Sequence, residues 1–93
     1  MTMKKANANN KLKKLRSRIE ALSLDILTLV EHRMRISKQI GEIKEELAIP
    51  KQDKPREAAL LKLLKARSSL PPQLVEDLFR ILVAASISKQ ADS

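Results

Sequence analysis

The sequence predicts an all-α protein with three helices in the chain, one long and two short, and three observations support this class. Leu, Ala, Lys, Ile and Glu dominate the 93 residues, which include one Gly and no Trp or Tyr. Over residues 12–47, aliphatic side chains recur in alternating steps of three and four, which is the spacing of one helix face. No segment alternates apolar and polar residues in the way a half-buried strand does.

The first helix is predicted to span residues from about 11 to about 47. Ten of the eleven positions in its three-four repeat are aliphatic, and we term this row the seam: Leu12, Leu15, Ile19, Leu22, Ile26, Leu29, Arg33, Ile36, Ile40, Ile43 and Leu47. Such a helix is on the order of 50 Å long, which exceeds the width of a domain of this size. Two short helices cannot cover it, so we expect an obligate helical homodimer with two-fold symmetry.

The second and third helices are predicted over residues 55–67 and 72–90, separated by the breaking sequence RSSLPP. Asp53 or Lys54 should cap the second helix, with Pro55 in its first turn, where the missing N–H costs nothing. The third helix should begin near Pro72. Their predicted inward-facing residues are Leu60, Leu61, Leu63, Leu64, Leu74, Val75, Leu78, Phe79, Leu82 and Val83.

The net charge of +8 is concentrated near the N-terminus. Seven of the 19 basic residues and no acidic residue lie within residues 1–18, and residues 1–10 are expected to form a disordered basic tail. Such a tail could contact nucleic acid, but no aromatic side chain lies nearby to stack on bases, so this partner is disfavoured. The sequence has no cysteine and no run of 18 apolar residues, so we expect a cytoplasmic protein without a membrane partner.

Polar residues interrupt two apolar rows. Arg33 lies in the seam and Lys44 projects from nearly the same face eleven positions later, while Ser86 and Gln90 end the apolar stripe of the third helix. These residues could extend to solvent or fix the register of a dimer. Their convergence instead favours a pocket for a small, multiply anionic molecule, because a buried arginine requires an anion.

The second helix opens with Arg56 and Glu57, immediately after the connector. A glutamate at a helix start is favoured by the helix dipole, so Glu57 could be present for that reason alone. Arg56 is unfavourable in the same place. It is therefore a candidate for binding.

The order of these motifs resembles the all-helical, AroQ-type class of chorismate mutases. The similarity extends from Leu12 to Gln90, and the motifs that carry it are Arg16, Arg33, the sequence from Gly41 to Lys44, the sequence DKPRE from Asp53 to Glu57, and Gln90. The resemblance implies a domain over residues 11–93 that converts chorismate to prephenate by a Claisen rearrangement. It also implies an intertwined dimer with two active sites, and no metal or other cofactor.

The resemblance further implies roles for the site residues. Arg33 and the partner subunit's Arg16 would hold the two carboxylates of chorismate, and Lys44 and Gln90 would donate hydrogen bonds to its ether oxygen. Glu57 would accept a hydrogen bond from the ring hydroxyl. Asp53, Arg56 and Ser86 would shape and orient that end of the site, and the apolar wall would comprise Ile40, Leu60, Val83 and Ile87.

The spacing of Arg16 and Arg33 is consistent with a shared site. They are 17 positions apart, about 25 Å along one helix, so one small molecule cannot contact both in the same chain. If two first helices pack antiparallel and cross near residue 27, Arg16 of one chain lies near position 38 of the other, between Arg33 and Lys44.

Two alternatives remain open on the sequence. An isochorismate pyruvate lyase would have the same fold and a similar substrate, although the intact D-x-x-R-E motif of residues 53–57 favours the mutase. A non-catalytic basic helical dimer is the alternative of a different class.

Overall fold

The computed structural model describes residues 3–91, with side chains described through residue 88. Three helices account for nearly all of this range: α1 (Met3–Leu47), α2 (Lys54–Arg67) and α3 (Pro72–Ala91), with no strand within residues 3–91. The predicted all-α fold, with one long and two short helices in the chain, is confirmed. Within the described range, no helix is both long enough and apolar enough to cross a membrane.

Helix α1 begins at Met3, whereas the sequence analysis expected a disordered tail over residues 1–10 and a helix from about Lys11. Residues 3–10 are helical although three of them are asparagine, a weak helix former. The physical reason is cooperativity: once the turns after Lys11 exist, each preceding residue adds one hydrogen bond without a new nucleation cost. Met1 and Thr2 lie outside the described residues.

The chain divides between Glu31 and His32 into two compact units. The first unit is helical throughout its described residues, and almost all of its side chains are exposed. Its six seam residues are 45–67% exposed although all of them are aliphatic. The hydroxyls of Ser23 and Thr28 donate to the carbonyls four residues earlier, Ile19 and Leu24, at 2.8 and 3.1 Å.

The second unit contains the end of α1, the connector, α2 and α3. α1 ends in a Schellman motif, in which the N–H groups of Ala48 and Ile49 donate to the carbonyls of Glu45 and Lys44 at 3.1 and 3.0 Å. Ala48 has a φ of 56°, a left-handed conformation that glycine usually supplies at this position. This turn directs the chain away from α1 and into the connector.

Helix α2 starts where the sequence analysis placed its cap. Asp53 is the N-cap residue, its carboxylate accepts the Arg56 N–H at 3.1 Å, and Pro55 lies in the first turn. The helix ends at Arg67, and the extended residue Ser68 closes the last turn by donating its N–H to the Leu64 carbonyl at 3.0 Å. A proline pair follows, and α3 begins at Pro72.

Helices α2 and α3 pack against each other. Glu76 of α3 joins them by accepting from Lys65 of α2 at 3.2 Å, and it also pairs with Arg80 at 2.6 Å. The apolar core is small: among the described residues, Val75 and Phe79 are the buried hydrophobic side chains. Several residues predicted to face inward, including Leu74 and Leu78, are more than 40% exposed in the single chain.

Candidate active site

A cavity of about 270 Å³ lies within the second unit, between the end of α1, the connector and the two short helices. Its size suits a small metabolite. Thirteen residues line it: Arg33, Ile36, Ser37, Ile40, Lys51, Asp53, Arg56, Glu57, Leu60, Phe79, Val83, Ser86 and Ile87. The four apolar residues predicted for its wall are all among them.

Arg33 explains how a cation can occupy the seam. Its guanidinium is partly buried, and it donates to the Leu82 carbonyl at 3.0 Å and also to the hydroxyl of Ser86. The side chain therefore turns from the seam toward α3 and the cavity. Both acceptors are neutral, and the two ion pairs formed among the described residues do not include Arg33. A partly buried guanidinium without a carboxylate favours an anionic ligand.

Two small or polar residues of the same helix are buried beside it. Ser37, one turn after Arg33, is 6% exposed and lines the cavity, and Gly41 is buried one turn later. Ser86 on α3 is 7% exposed. Within the described range, every buried side-chain nitrogen or oxygen atom has a hydrogen-bond partner. Ser86 is one of these satisfied groups, since its hydroxyl accepts from Arg33.

Lys44 does not line this cavity, but it holds a segment that does. Its ammonium group donates to the Lys51 carbonyl at 2.6 Å, and Lys51 is a lining residue. The contact joins the last turns of α1 to the connector, two residues before the Asp53 cap. Lys44 thus positions the edge of the cavity in the single chain.

The start of α2 supplies three further charged residues. Asp53, Arg56 and Glu57 line the cavity together because the capping geometry of Asp53 fixes the first turn of the helix. The Glu57 carboxylate accepts from Gln52 at 3.4 Å, a long contact. The Arg56 guanidinium is exposed and forms no hydrogen bond or ion pair with the described residues. It can therefore bind an incoming anion without losing a partner.

Eight site residues are predicted from the sequence, and the cavity brings five of them together: Arg33, Asp53, Arg56, Glu57 and Ser86. Lys44 contacts the cavity indirectly, through Lys51. Arg16 is exposed and belongs to the first unit. Gln90 is helical, but its side chain lies outside the described residues.

Lys51 is the charged lining residue that the sequence analysis missed. It lies in an irregular connector, where no helical periodicity assigns a side chain to a face, so only its closeness to Asp53 could have indicated it. With it, the lining carries three cationic and two acidic side chains. No group of three His, Asp or Glu residues that could hold a metal ion occurs among the side chains that the structure describes.

Known proteins are similar to this chain in sequence and in fold. The sequence model of the family described as chorismate mutase type II matches residues 15–91. The T-protein of Enterobacter agglomerans is 27% identical over 81 residues, which are 84% of this chain but only 22% of that protein.

Two solved structures of chorismate mutase from Thermus thermophilus are similar along almost their whole length. The Form II structure has a TM-score of 0.82 and 28% identity, covering 87% of this chain and 94% of its own. The Form I structure has a TM-score of 0.77 and 29% identity, covering 82% and 98%. Because the family match extends over most of the sequence, including every residue of the cavity, the chain belongs to the chorismate mutase type II family.

Proposed function

We propose that this protein is a chorismate mutase, which rearranges chorismate to prephenate in the cavity between α1, the connector, α2 and α3. The observation that carries the proposal is the partly buried Arg33 guanidinium, which faces a small cavity with neutral partners only. Chorismate is a dianion with two carboxylates. Family membership makes it the first substrate to consider, and this constellation is chemically suited to bind it.

The reaction determines what the site has to do. One C–O bond breaks and one C–C bond forms within a single molecule, and no proton leaves or enters. The protein therefore contributes by holding the flexible side arm over the ring and by stabilising the charge that develops on the ether oxygen. Arginine suits the holding role because its planar fork binds a carboxylate through two parallel hydrogen bonds.

In this proposal Arg33 binds one carboxylate. Its guanidinium donates to Ser86 and to the Leu82 carbonyl, so these contacts direct the arginine toward α3 and the cavity. A carboxylate is a stronger acceptor than either neutral oxygen and would gain a charge-assisted hydrogen bond. Ser86 then serves as a positioning residue for Arg33 as well as a wall of the site.

The second carboxylate requires a second cation, and we assign this role to Arg16 of the partner subunit. The support is the exposed seam: its aliphatic residues in the first unit are each at least 45% exposed, and water is an unfavourable environment for so large an apolar row. A second copy packed antiparallel along the seam would cover it. With a crossing near residue 27, this packing carries the partner's Arg16 between Arg33 and Lys44.

The remaining residues have roles around the ring and the ether oxygen. Lys44 and Gln90 would donate hydrogen bonds to the ether oxygen as negative charge develops there. Glu57 would accept from the ring hydroxyl, and Asp53 and Arg56 would orient that end of the substrate. In the single chain the Lys44 ammonium donates one hydrogen bond to the Lys51 carbonyl, and since an ammonium group has three N–H donors, donation to the ether oxygen is compatible with this contact.

We propose a cytoplasmic location for the enzyme, supported by the absence of cysteine from the sequence. The chain spans about a fifth of the T-protein's length, so no other activity of that relative is assigned to it. An isochorismate pyruvate lyase is the competing enzyme. It would act on a similar dianion, and assaying both substrates separately decides between them.

The direct test follows the loss of chorismate absorbance and identifies the product. We expect prephenate from chorismate and no pyruvate from isochorismate. Pyruvate as the main product would favour the lyase, and no turnover of either substrate by a folded protein would favour the non-catalytic helical dimer.

Subunit mixing tests the shared site. Arg16→Ala and Arg33→Ala should each be nearly inactive, while the exposed neighbours Arg18→Ala and Arg35→Ala serve as matched controls and should keep most activity. When the two inactive variants exchange subunits at random, half of the dimers are mixed and one of their two sites has both arginines, so about a quarter of wild-type activity should return. Demonstrated exchange without recovery would remove Arg16 from the site.

A further inference from the structure

The residues that flank the seam carry a charge pattern that the proposed chemistry does not use. In heptad notation, the seam positions Leu12, Ile19, Ile26, Arg33, Ile40 and Leu47 are a, and Leu15, Leu22, Leu29, Ile36 and Ile43 are d. The flanking g row is then Lys11, Arg18, Asp25, His32, Gln39 and Glu46. The e row, on the other flank, includes Arg16, Ser37 and Lys44. Flanking positions of this kind often decide the orientation of paired helices.

An antiparallel pair crossing near residue 27 places each a residue opposite a d residue. Leu12 meets the partner's Ile43, Ile19 meets the partner's Ile36, and Ile26 meets the partner's Leu29. The g rows of the two helices then run side by side. Lys11 lies beside the partner's Glu46, and each side chain leans toward its own N-terminus and therefore toward the other.

The other members of the g row are compatible with the same alignment. Asp25 lies beside the partner's His32, a carboxylate opposite an imidazole, and Arg18 lies beside the partner's Gln39. Two-fold symmetry produces each pair twice. No pair in the row combines like charges.

Other arrangements of the same helices lose one or both of these pairs, and some of them bring like charges together. A parallel pair would place the two Arg33 residues opposite each other in the seam and Lys11 beside the partner's Arg16. An antiparallel pair shifted by one heptad in one direction would replace Lys11 by Arg18 beside the partner's Glu46 and would separate Asp25 from the partner's His32. Shifted in the other direction, it would bring the two Asp25 residues together. Like-charge contacts of this kind act against the wrong partner arrangement more than they strengthen the right one.

The four side chains are available for such contacts in the structure. Lys11, Asp25, His32 and Glu46 are all exposed. None of them takes part in a side-chain hydrogen bond or ion pair with the other described residues. Lys11 and Glu46 are also 35 positions apart on one helix, so any energetic coupling between them must act between two copies of the chain.

We propose that ion pairs between Lys11 and the partner's Glu46, supported by Asp25 and the partner's His32, fix the antiparallel orientation and register of the dimer. The inference rests on the dimer of the proposed function. It also bears on the site, because this register brings the partner's Arg16 on the e row between Ser37 and Lys44. A change in register would move that arginine by a whole heptad, about 10 Å.

The test is a double-mutant cycle with Lys11→Glu, Glu46→Lys and the double swap, using sedimentation to measure the dimer dissociation constant at low and high salt. Each single change should weaken the dimer about tenfold at low salt, since two symmetric pairs become repulsive. The double swap restores opposite charges and should return to within about twofold of the wild type. In 1 M salt the differences should largely disappear.

Matched controls use Lys14→Glu and Glu45→Lys, which make the same charge changes on heptad positions c and f, away from the seam. They should weaken the dimer by no more than about twofold and show no coupling. A dimeric wild type without coupling between Lys11 and Glu46 would overturn the ion-pair proposal alone. A wild type that stays monomeric would overturn the dimer on which it rests, and the chorismate assay tests the chemistry separately.

Discussion

Two stretches of the seam obey the same three-four repeat and differ in what surrounds them. Residues 12–29 carry six aliphatic seam residues with exposures of 45–67%, and nearly all of their neighbours are exposed too. In residues 33–47 an arginine replaces the first aliphatic residue, and the small residues Ser37 and Gly41 are buried. The first stretch presents only a surface. The second also forms one side of a cavity.

The difference shows how one helix can serve two purposes. An uninterrupted aliphatic row is well suited to a second copy of the chain, whose matching row can cover it. A cavity needs space and polar groups. A small residue such as Ser37 leaves space, and a cation whose side chain turns out of the row supplies a polar group. Arg33 makes that turn by donating to Ser86 and Leu82 on α3.

The largest effect is expected from making the second stretch resemble the first. Arg33→Leu completes the aliphatic seam but removes the cation from the cavity, so kcat/KM for chorismate should fall by roughly a thousandfold or more. The dimer should remain at least as stable, because a leucine fits the seam. Steady-state kinetics and sedimentation check the two expectations, with Arg35→Leu as the exposed control. Substantial activity in Arg33→Leu would show that the cavity is not the site.

The converse change makes the first stretch resemble the second. Ile26→Arg places a cation near the proposed crossing point, where the symmetric copies would bring two of them close together without an acceptor. We expect the dimer to lose about 3–5 kcal/mol, the usual cost of an unpaired charge in a buried position. Sedimentation should show monomers, with Ile26→Leu as the control that keeps the dimer. A normal dimer in Ile26→Arg would place the interface elsewhere.

The sequence was sufficient for the fold class and the family because both depend on long, redundant patterns. The eleven-position repeat and the ordered motifs each involve many residues, and both predictions are confirmed. The start of α1 was harder to predict, since asparagine-rich residues 3–10 have weak helix propensity and become helical by extension of an existing helix.

Residues that line the cavity could be predicted where helical spacing assigns a face and were harder to predict where it does not. Arg33 and Ser86 were identified because each interrupts an apolar stripe, and both line the cavity. Lys51 was missed because the connector has no periodicity. Lys44 was expected on the cavity face, but in the single chain its ammonium contacts the connector carbonyl of Lys51. A side chain as long as lysine can reach acceptors that its helical position does not specify.

A smaller effect separates two roles of Asp53, which caps α2 and lines the cavity. Asp53→Ala removes the acceptor for the Arg56 N–H and should lower the free energy of unfolding by about 1 kcal/mol. Asp53→Asn keeps an oxygen acceptor, so its stability should be close to that of the wild type. If the carboxylate also orients substrate, the Asp53→Asn variant should have a higher KM for chorismate than the wild type despite its similar stability. Equal stability of the Ala and Asn variants would mean that the cap does not contribute as the geometry indicates.

The smallest effect concerns Glu76, which lies outside the cavity and joins α3 to α2. The hydrogen bond from Lys65 and the positive charges of Lys65 and then Arg80 lower the pKa of Glu76 below its ordinary value of 4.5, against a weaker opposing effect of desolvation. Since the pKa of Glu76 is lower in the folded state, the stabilisation is present above about pH 4.5 and is lost as the pH falls through the lowered value.

Glu76→Gln should therefore unfold slightly more easily than the wild type at pH 7, and the difference should shrink toward zero in acid. Thermal unfolding from pH 7 to pH 3 measures this, with Asp77→Asn as the control, because the Asp77 carboxylate accepts from the neutral Gln73 at 2.9 Å and pairs with no cation among the described residues. A gap between Glu76→Gln and the wild type that stays constant over this pH range would mean that the glutamate contributes through packing, since only its charge is removed by protonation.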